Sequence, residues 1–243
     1  MKRRSMARIV ASGAVLAACS AMGLPQAEAQ SHTPAVRLAA ANAPSTSMAG
    51  YLLASAPTPA SAGDKFKVPT LTCPPTGDYG IALGAFLFTS SGLSGGEVTA
   101  ECSSGTAVYA GVVFENGEHV TTPFTPAAGD IIKASGNETA TTAQGGIFDV
   151  TQRVGDVFTN SQVGAASSSV LVGMEALVGS SNTQLSVPPF GRSRFTVGTI
   201  DGGTVLASGA VATNMRTSTG VLQIRTGALN STGRAWTEYF RHS

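Results

Sequence analysis

The 243-residue sequence is poor in charge, aromatic rings, histidine and cysteine. Charged residues make up 12% of it, and the part after Ala29 holds eleven basic and thirteen acidic side chains, a net of −2. By that count the chain has no basic face, which excludes nucleic acid as a partner, because phosphate-backbone binding rests on clustered Lys and Arg. Histidine occurs three times, at His32, His119 and His242, and no Cys/His cluster has ligand spacing, so neither a metal nor a cofactor is expected. A serine nucleophile needs a histidine and an acid beside it. His119 is the one histidine inside the candidate domain, on a hairpin strand, and does not support that chemistry. The glycine pairs in "SGGE" and "AQGGI" lack the lysine and the following helix of a phosphate loop. Trp236 is the single tryptophan, which leaves a sugar-binding platform one candidate. The apolar stretch Ile9–Leu24 is too short and wrongly flanked for a membrane span.

That stretch has another meaning. Lys2, Arg3, Arg4 and Arg8 precede it without an acid, and Ala27 and Ala29 give the small-residue pattern before Gln30. Residues 1–29 therefore read as an export signal, and the protein as secreted. "LAAC", ending at Cys19, also resembles a lipoprotein box, so lipid anchoring at the cell surface through Cys19 is the alternative address. Residues 30–47 are Ala, Pro and Ser with almost no large apolar side chain, a linker that cannot bury enough surface to order itself. The domain is expected over 48–243. Two cysteines follow the signal, Cys73 and Cys102. In an oxidising compartment they read as a disulfide closing a loop of about 30 residues, a contribution on the order of 3–4 kcal/mol.

From Met48 onward the chain is a series of short apolar or alternating runs cut by Gly, Pro, Ser and Asn. The runs include Asp64–Val68, Ile81–Phe88, Glu97–Glu101, Val108–Glu115, Ser168–Leu177, Gly203–Ser208 and Arg234–Phe240. Asn116-Gly117 supplies the positive φ of a two-residue hairpin turn. About a dozen strands with turns every 8–12 residues and no convincing helix predict an all-β antiparallel sandwich.

Chemistry then falls to the acids. Glu175 is the one charged residue between Asp156 and Arg192, in the apolar run "SSVLVGMEALVG". On a strand, residues 171, 173 and 175 share a face, as do 95, 97, 99 and 101. If the two strands lie near one another, Glu97 and Glu175 meet, and paired carboxyls can activate water and protonate a leaving group. The simpler expectation leaves both acids solvated on an open face.

Five runs in order carry a family likeness: Ala49–Pro74 with its "VPTLTC", "GGEVTAEC", "PAAGDIIKAS", "SVLVGMEAL" and "PPFGRSRFTVGTIDG". They resemble the secreted glutamic peptidases, the eqolisins, over Met48–Phe240. The resemblance implies a concanavalin-like β-sandwich of jelly-roll type, with two sheets and a concave groove. It also implies a catalytic Gln and Glu, and here those positions fall on Gly95 and Leu171. Glu175 takes the place of the family's second acid. Tyr109 is kept from a groove strand, whose Trp and Glu become Val112 and Phe114. The resulting expectation is a secreted, non-catalytic eqolisin-like protein binding an extracellular peptide, protein or polysaccharide in a groove lined by Tyr109, Gly95 and Leu171. The alternatives are an acid endopeptidase using Glu175 with Glu97 or a shifted Gln/Glu pair, and a lectin-like carbohydrate binder.

Overall fold

The structure, a computed structural model, describes residues 45–55, 60–89, 92–115, 118–160, 167–179 and 183–242. The export signal, Cys19 and most of the expected linker lie outside the described residues, as does the Asn116-Gly117 turn. The chain is already engaged at Ser45, whose N–H donates to the Asn214 carbonyl at 3.1 Å. Ser45 and Ser47, assigned to the linker from composition, are buried.

Among the described residues, seventeen strands form two antiparallel sheets. One sheet contains β1 (Met48–Leu53), β3 (Tyr79–Thr89), β4 (Leu93–Ser103), β5 (Thr106–Glu115), β6 (Glu118–Thr121), β10 (Ser167–Ala176) and β14 (Val211–Thr213). Its order is β14-β1-β10-β3-β4-β5-β6. The other contains β2 (Ala60–Lys67), β7 (Ile131–Glu138), β8 (Ala143–Asp149), β9 (Val154–Asn160), β11 (Arg192–Phe195), β15 (Met215–Arg216), β16 (Leu222–Thr226) and β17 (Trp236–Phe240). Its order is β15-β16-β17-β11-β2-β7-β8-β9, with β12 (Thr199–Ile200) and β13 (Gly203–Thr204) attached at β2.

Gly203–Ser208, expected as a strand, is two residues of β13 followed by the short helix α1 (Val205–Ser208). The Thr204 side chain caps its first turn and Gly209, at φ 79°, ends it in the left-handed conformation. Capping chemistry overrides the β-propensity of Val205 there. The strand β9 falls in a stretch not predicted as strand, because its apolar residues do not alternate: Asp156 takes a half-buried position and Val157 an exposed one.

Inward side chains of both sheets make the main core: Ile81, Leu83, Leu87, Val98, Val113, Val170, Val172 and Met174 meet Phe66, Ile132, Ile147, Phe195 and Trp236. Trp236 stacks on Phe195 at 4.8 Å and meets Tyr51 edge-on at 5.2 Å. Glycines let the two backbones touch where β4 crosses β8: a Cβ on Gly96 would lie 2.1 Å from the Gly146 carbonyl oxygen, and one on Gly145 would lie 2.2 Å from that of Gly95. The expected disulfide is formed: Cys73 bonds Cys102, with Cα atoms 5.4 Å apart, and it ties the chain ahead of β3 to the end of β4.

Acids also take inward positions on the ten-stranded sheet. Asp64, Glu138 and Glu238 are 4%, 0% and 0% exposed. Glu238 accepts a hydrogen bond from Trp236 Nε1 at 2.6 Å. Burial pushes its pKa up to about 8, against opposing hydrogen bonds from Thr226 and Trp236. Burial also raises Asp64 well above the usual carboxylate range, and neither of its oxygens has a side-chain or backbone partner of full geometry.

Candidate active site

The strand period of two gives the seven-stranded sheet a second face, opposite the core. Its transverse rows follow from the pairing registers. One row reads Met48, Glu175, Ala82, Thr99, Ala110 across β1, β10, β3, β4 and β5. The next reads Gly50, Gly173, Gly84, Glu97, Val112. The third reads Leu52, Leu171, Phe86, Gly95, Phe114. Glu97 and Glu175 therefore share this face, two strands and two residues apart. Standard sheet spacings put their Cα atoms roughly 12 Å apart, a gap that two glutamate side chains leaning inward can close.

Nothing stands between them but Ala82 and Gly84. The middle row is bare for three strands running, and a Cβ could not be added to it. On Gly50 it would lie 2.4 Å from the Val172 carbonyl oxygen, on Gly173 2.3 Å from that of Ala49, and on Gly84 2.1 Å from that of Gly96. Glu97 closes this strip at its β4 end. The flanking row is apolar: Leu52, Phe86, Phe114 and Leu171 form a second hydrophobic cluster with Met48, Phe88, Leu93, Val112, Leu177 and Leu185.

The two acids are not solvated. Glu97 is 1% and Glu175 0% exposed, which corrects the open-face expectation. Both oxygens of Glu175 and Oε2 of Glu97 are buried without a hydrogen-bond partner. Burial raises Glu97 to about 8, with a smaller push from Glu101. Burial raises Glu175 well above its ordinary range, and the charge of Glu97 raises it further. Both carboxyls are thus biased toward their protonated forms, and a charge on Glu97 favours the proton on Glu175.

The other sequence candidates separate. Leu171 and Gly95 lie in the third row, on either side of Phe86. Tyr109 does not line this face, a correction that follows from parity: it pairs with Ala100 and points toward the core. Its hydroxyl donates to the Pro69 carbonyl at 2.9 Å and accepts from the Leu71 N–H, so it anchors the Val68–Cys73 segment. Trp236 is 3% exposed and offers no sugar platform. No group of three or more His, Cys, Asp or Glu among the described residues could hold a metal. Glu238 and Asp64 escaped the sequence reading, although each sits at an inward position of an alternating run.

Comparison with solved structures fits this layout. Scytalido-glutamic peptidase bound to a transition-state analogue superposes with a TM-score of 0.62, at 13% identity, over 81% of this chain and 98% of that one. The fold is that of the glutamic peptidases. SCP-B, an eqolisin solved with the tripeptide Ala-Ile-His, gives 0.61 at 13% identity over 79% of this chain and 97% of that one. Aspergilloglutamic peptidase from Aspergillus niger gives 0.55 at 15% identity over 67% and 99%. No sequence-family model and no curated protein sequence matches the chain. The eqolisin likeness is thus one of architecture, with the carboxyl-bearing strands β4 and β10 flanking β3.

Proposed function

We propose that the protein is an exported hydrolase of peptide bonds in which Glu97 and Glu175 are the catalytic pair. The observation that carries this reading is the pair itself: two buried carboxyls on one face, the charge of Glu97 raising Glu175, beside a side-chain-free strip on a fold shared with glutamic peptidases. An extended peptide suits a strip without side chains, and the apolar row from Leu52 to Phe114 suits hydrophobic substrate side chains. Ionised Glu97 takes a proton from water as its oxygen attacks the scissile carbonyl carbon. Protonated Glu175 gives its proton to the leaving nitrogen as the C–N bond breaks. No amide is assigned a part, since by the sequence likeness the family's Gln position falls on Gly95. The Glu175 acid must therefore polarise the carbonyl as well as protonate the amine. While the face is closed, burial keeps Glu97 protonated below about pH 8 and also favours the proton on Glu175, so no base is present in acid. Opening to water lowers both affinities and switches the pair on. The disulfide supports an oxidising, extracellular setting.

A second reading, a non-catalytic groove binder, rests on the sequence likeness, which sets Gly95 and Leu171 at the positions of the family's catalytic Gln and Glu. The two part in one experiment. The exported chain is incubated with an unfolded protein substrate from pH 3 to pH 8, beside Glu97→Gln and Glu175→Gln. Cleavage by the parent, and its loss in both variants with folding intact, is expected. Binding of the substrate without cleavage at any pH establishes the non-catalytic reading instead.

A further inference from the structure

The outer face of the ten-stranded sheet collects the cations. Lys65 and Lys67 on β2, Lys133 on β7, Arg192 and Arg194 on β11 and Arg225 on β16 all occupy outward positions, with Arg241 just beyond β17. These are seven of the ten basic residues that follow Ser45. Their registers make a continuous array. Arg192 is opposite Tyr239, which is opposite Arg225. The pairing of Phe195 with Phe66 sets Arg194 beside Lys67, and Lys65 is opposite Lys133. Six of the seven are exposed and Lys65 is half-buried. The acids of these same strands, Asp64, Glu138 and Glu238, all face the core. The expectation of no basic face is thereby corrected: net charge counts side chains, and parity sorts them, acids inward and bases outward.

Arg225 and Arg241 cover the Tyr239 ring, their guanidinium carbons 5.0 and 5.6 Å from its centre. At the β8 side the array ends on exposed apolar side chains. Phe148, opposite Lys133, is 43% exposed, and Val157 on the neighbouring strand is 62% exposed.

We propose that this face docks on an anionic lipid surface. The strands from β16 to β8 span about 24 Å at ordinary spacing, a broad array for headgroup phosphates. Arg and Lys supply charge attraction, and Phe148 and Val157 enter the headgroup layer. A polysaccharide is disfavoured because Trp236 is buried and Tyr239 is roofed by guanidinium groups. Nucleic acid is disfavoured because, among the described residues, no helix or projecting ribbon on this face enters a groove, and the exposed Phe148 ring lies at the edge of the array rather than along it.

The test is co-sedimentation of the exported chain, carrying Cys19→Ser to bar an acyl anchor, with phosphatidylcholine vesicles with and without phosphatidylglycerol. Binding is expected only with the anionic lipid, and is lost in 0.5 M salt. Removing two surface cations at roughly fivefold each makes Arg192→Glu/Arg194→Glu at least ~30-fold weaker. Lys67→Glu/Lys133→Glu provides an independent pair if the first misfolds. Phe148→Ser weakens binding severalfold without changing its salt dependence. Equal binding to neutral vesicles, or binding unaffected by both charge reversals, overturns the proposal. So does capture by immobilised polygalacturonate or DNA without vesicle binding.

Discussion

Gly84 lies beside Glu97 in one transverse row, and a Cβ on Gly84 would come within 2.9 Å of the Glu97 Cα and 3.0 Å of its Cβ. The same Cβ would collide with the Gly96 backbone. The acid's position and the bare strip are therefore one feature. Gly84→Ala must push β4 away from β3, an overpacking cost of about 3 kcal/mol, at the upper end for such changes. Gly209→Ala is the control, because nothing lies within 4 Å of that site and only its φ of 79° is strained. Urea unfolding should show the larger loss for Gly84→Ala, and only that variant should lose peptide cleavage. Equal losses would mean that the strip is not tightly packed.

The coupling of the carboxyl pair predicts an asymmetric response. Glu175 is held protonated partly by the charge of Glu97, whereas Glu97 is raised by burial and by Glu101. Glu97→Gln removes that charge, so the Glu175 pKa falls, while it stays above an ordinary carboxyl because burial persists. Carbon-13 NMR of labelled Glu side chains reads this directly. An unchanged Glu175 titration in Glu97→Gln would mean that the carboxyls do not sense one another.

Much of this site was legible from parity alone. Residues 95, 97, 99 and 101, and 171, 173 and 175, do share one face. The sequence could not show that β3 separates them, because pairing partners depend on which strands the whole sheet brings together. Nor could it show that the small residues Gly84 and Ala82 are what lies between the acids on β3. Tyr109 was misplaced because the likeness was carried over without checking its parity against Glu97 and Glu101. The basic face was invisible for a related reason: its seven cations come from five separate stretches, and none is a charge run. The disulfide, by contrast, needed only two cysteines and an oxidising address.

That disulfide closes a separation of 29 residues containing β3 and nearly all of β4. Both strands carry the strip, so the bond constrains the site as well as the unfolded chain. Cys73→Ala/Cys102→Ala is expected to lose about 2–5 kcal/mol, the range for removing a native disulfide from a small secreted domain. Denaturant titration of the oxidised, reduced and double-mutant forms checks this. Reduced and double-mutant protein should coincide, since the two sulfurs bond to each other.

Acid should stabilise the fold and alkali weaken it. Glu97 and Glu238 are raised from 4.5 to about 8 by burial, and Asp64 and Glu175 are raised well above their ordinary values. For each, the folded state binds its proton more tightly than the unfolded chain does. The stabilisation is therefore complete below about pH 4, shrinks as pH rises past the unfolded-state values, and is gone above the folded ones. Asp130, lowered by its bonds to Gln152 and Ala127 against burial, works the other way, but it is one group near the surface. A shift of this size is on the order of several kcal/mol per group, and two such groups rival the whole stability of a typical domain. Unfolding free energy from urea titration should drop steeply between pH 4 and pH 8. Glu238→Gln keeps an acceptor for Trp236 Nε1 but cannot ionise, so it should flatten that slope while matching the parent in acid. A parent equally stable at pH 4 and pH 8 would show that these carboxyls are not held protonated in the fold.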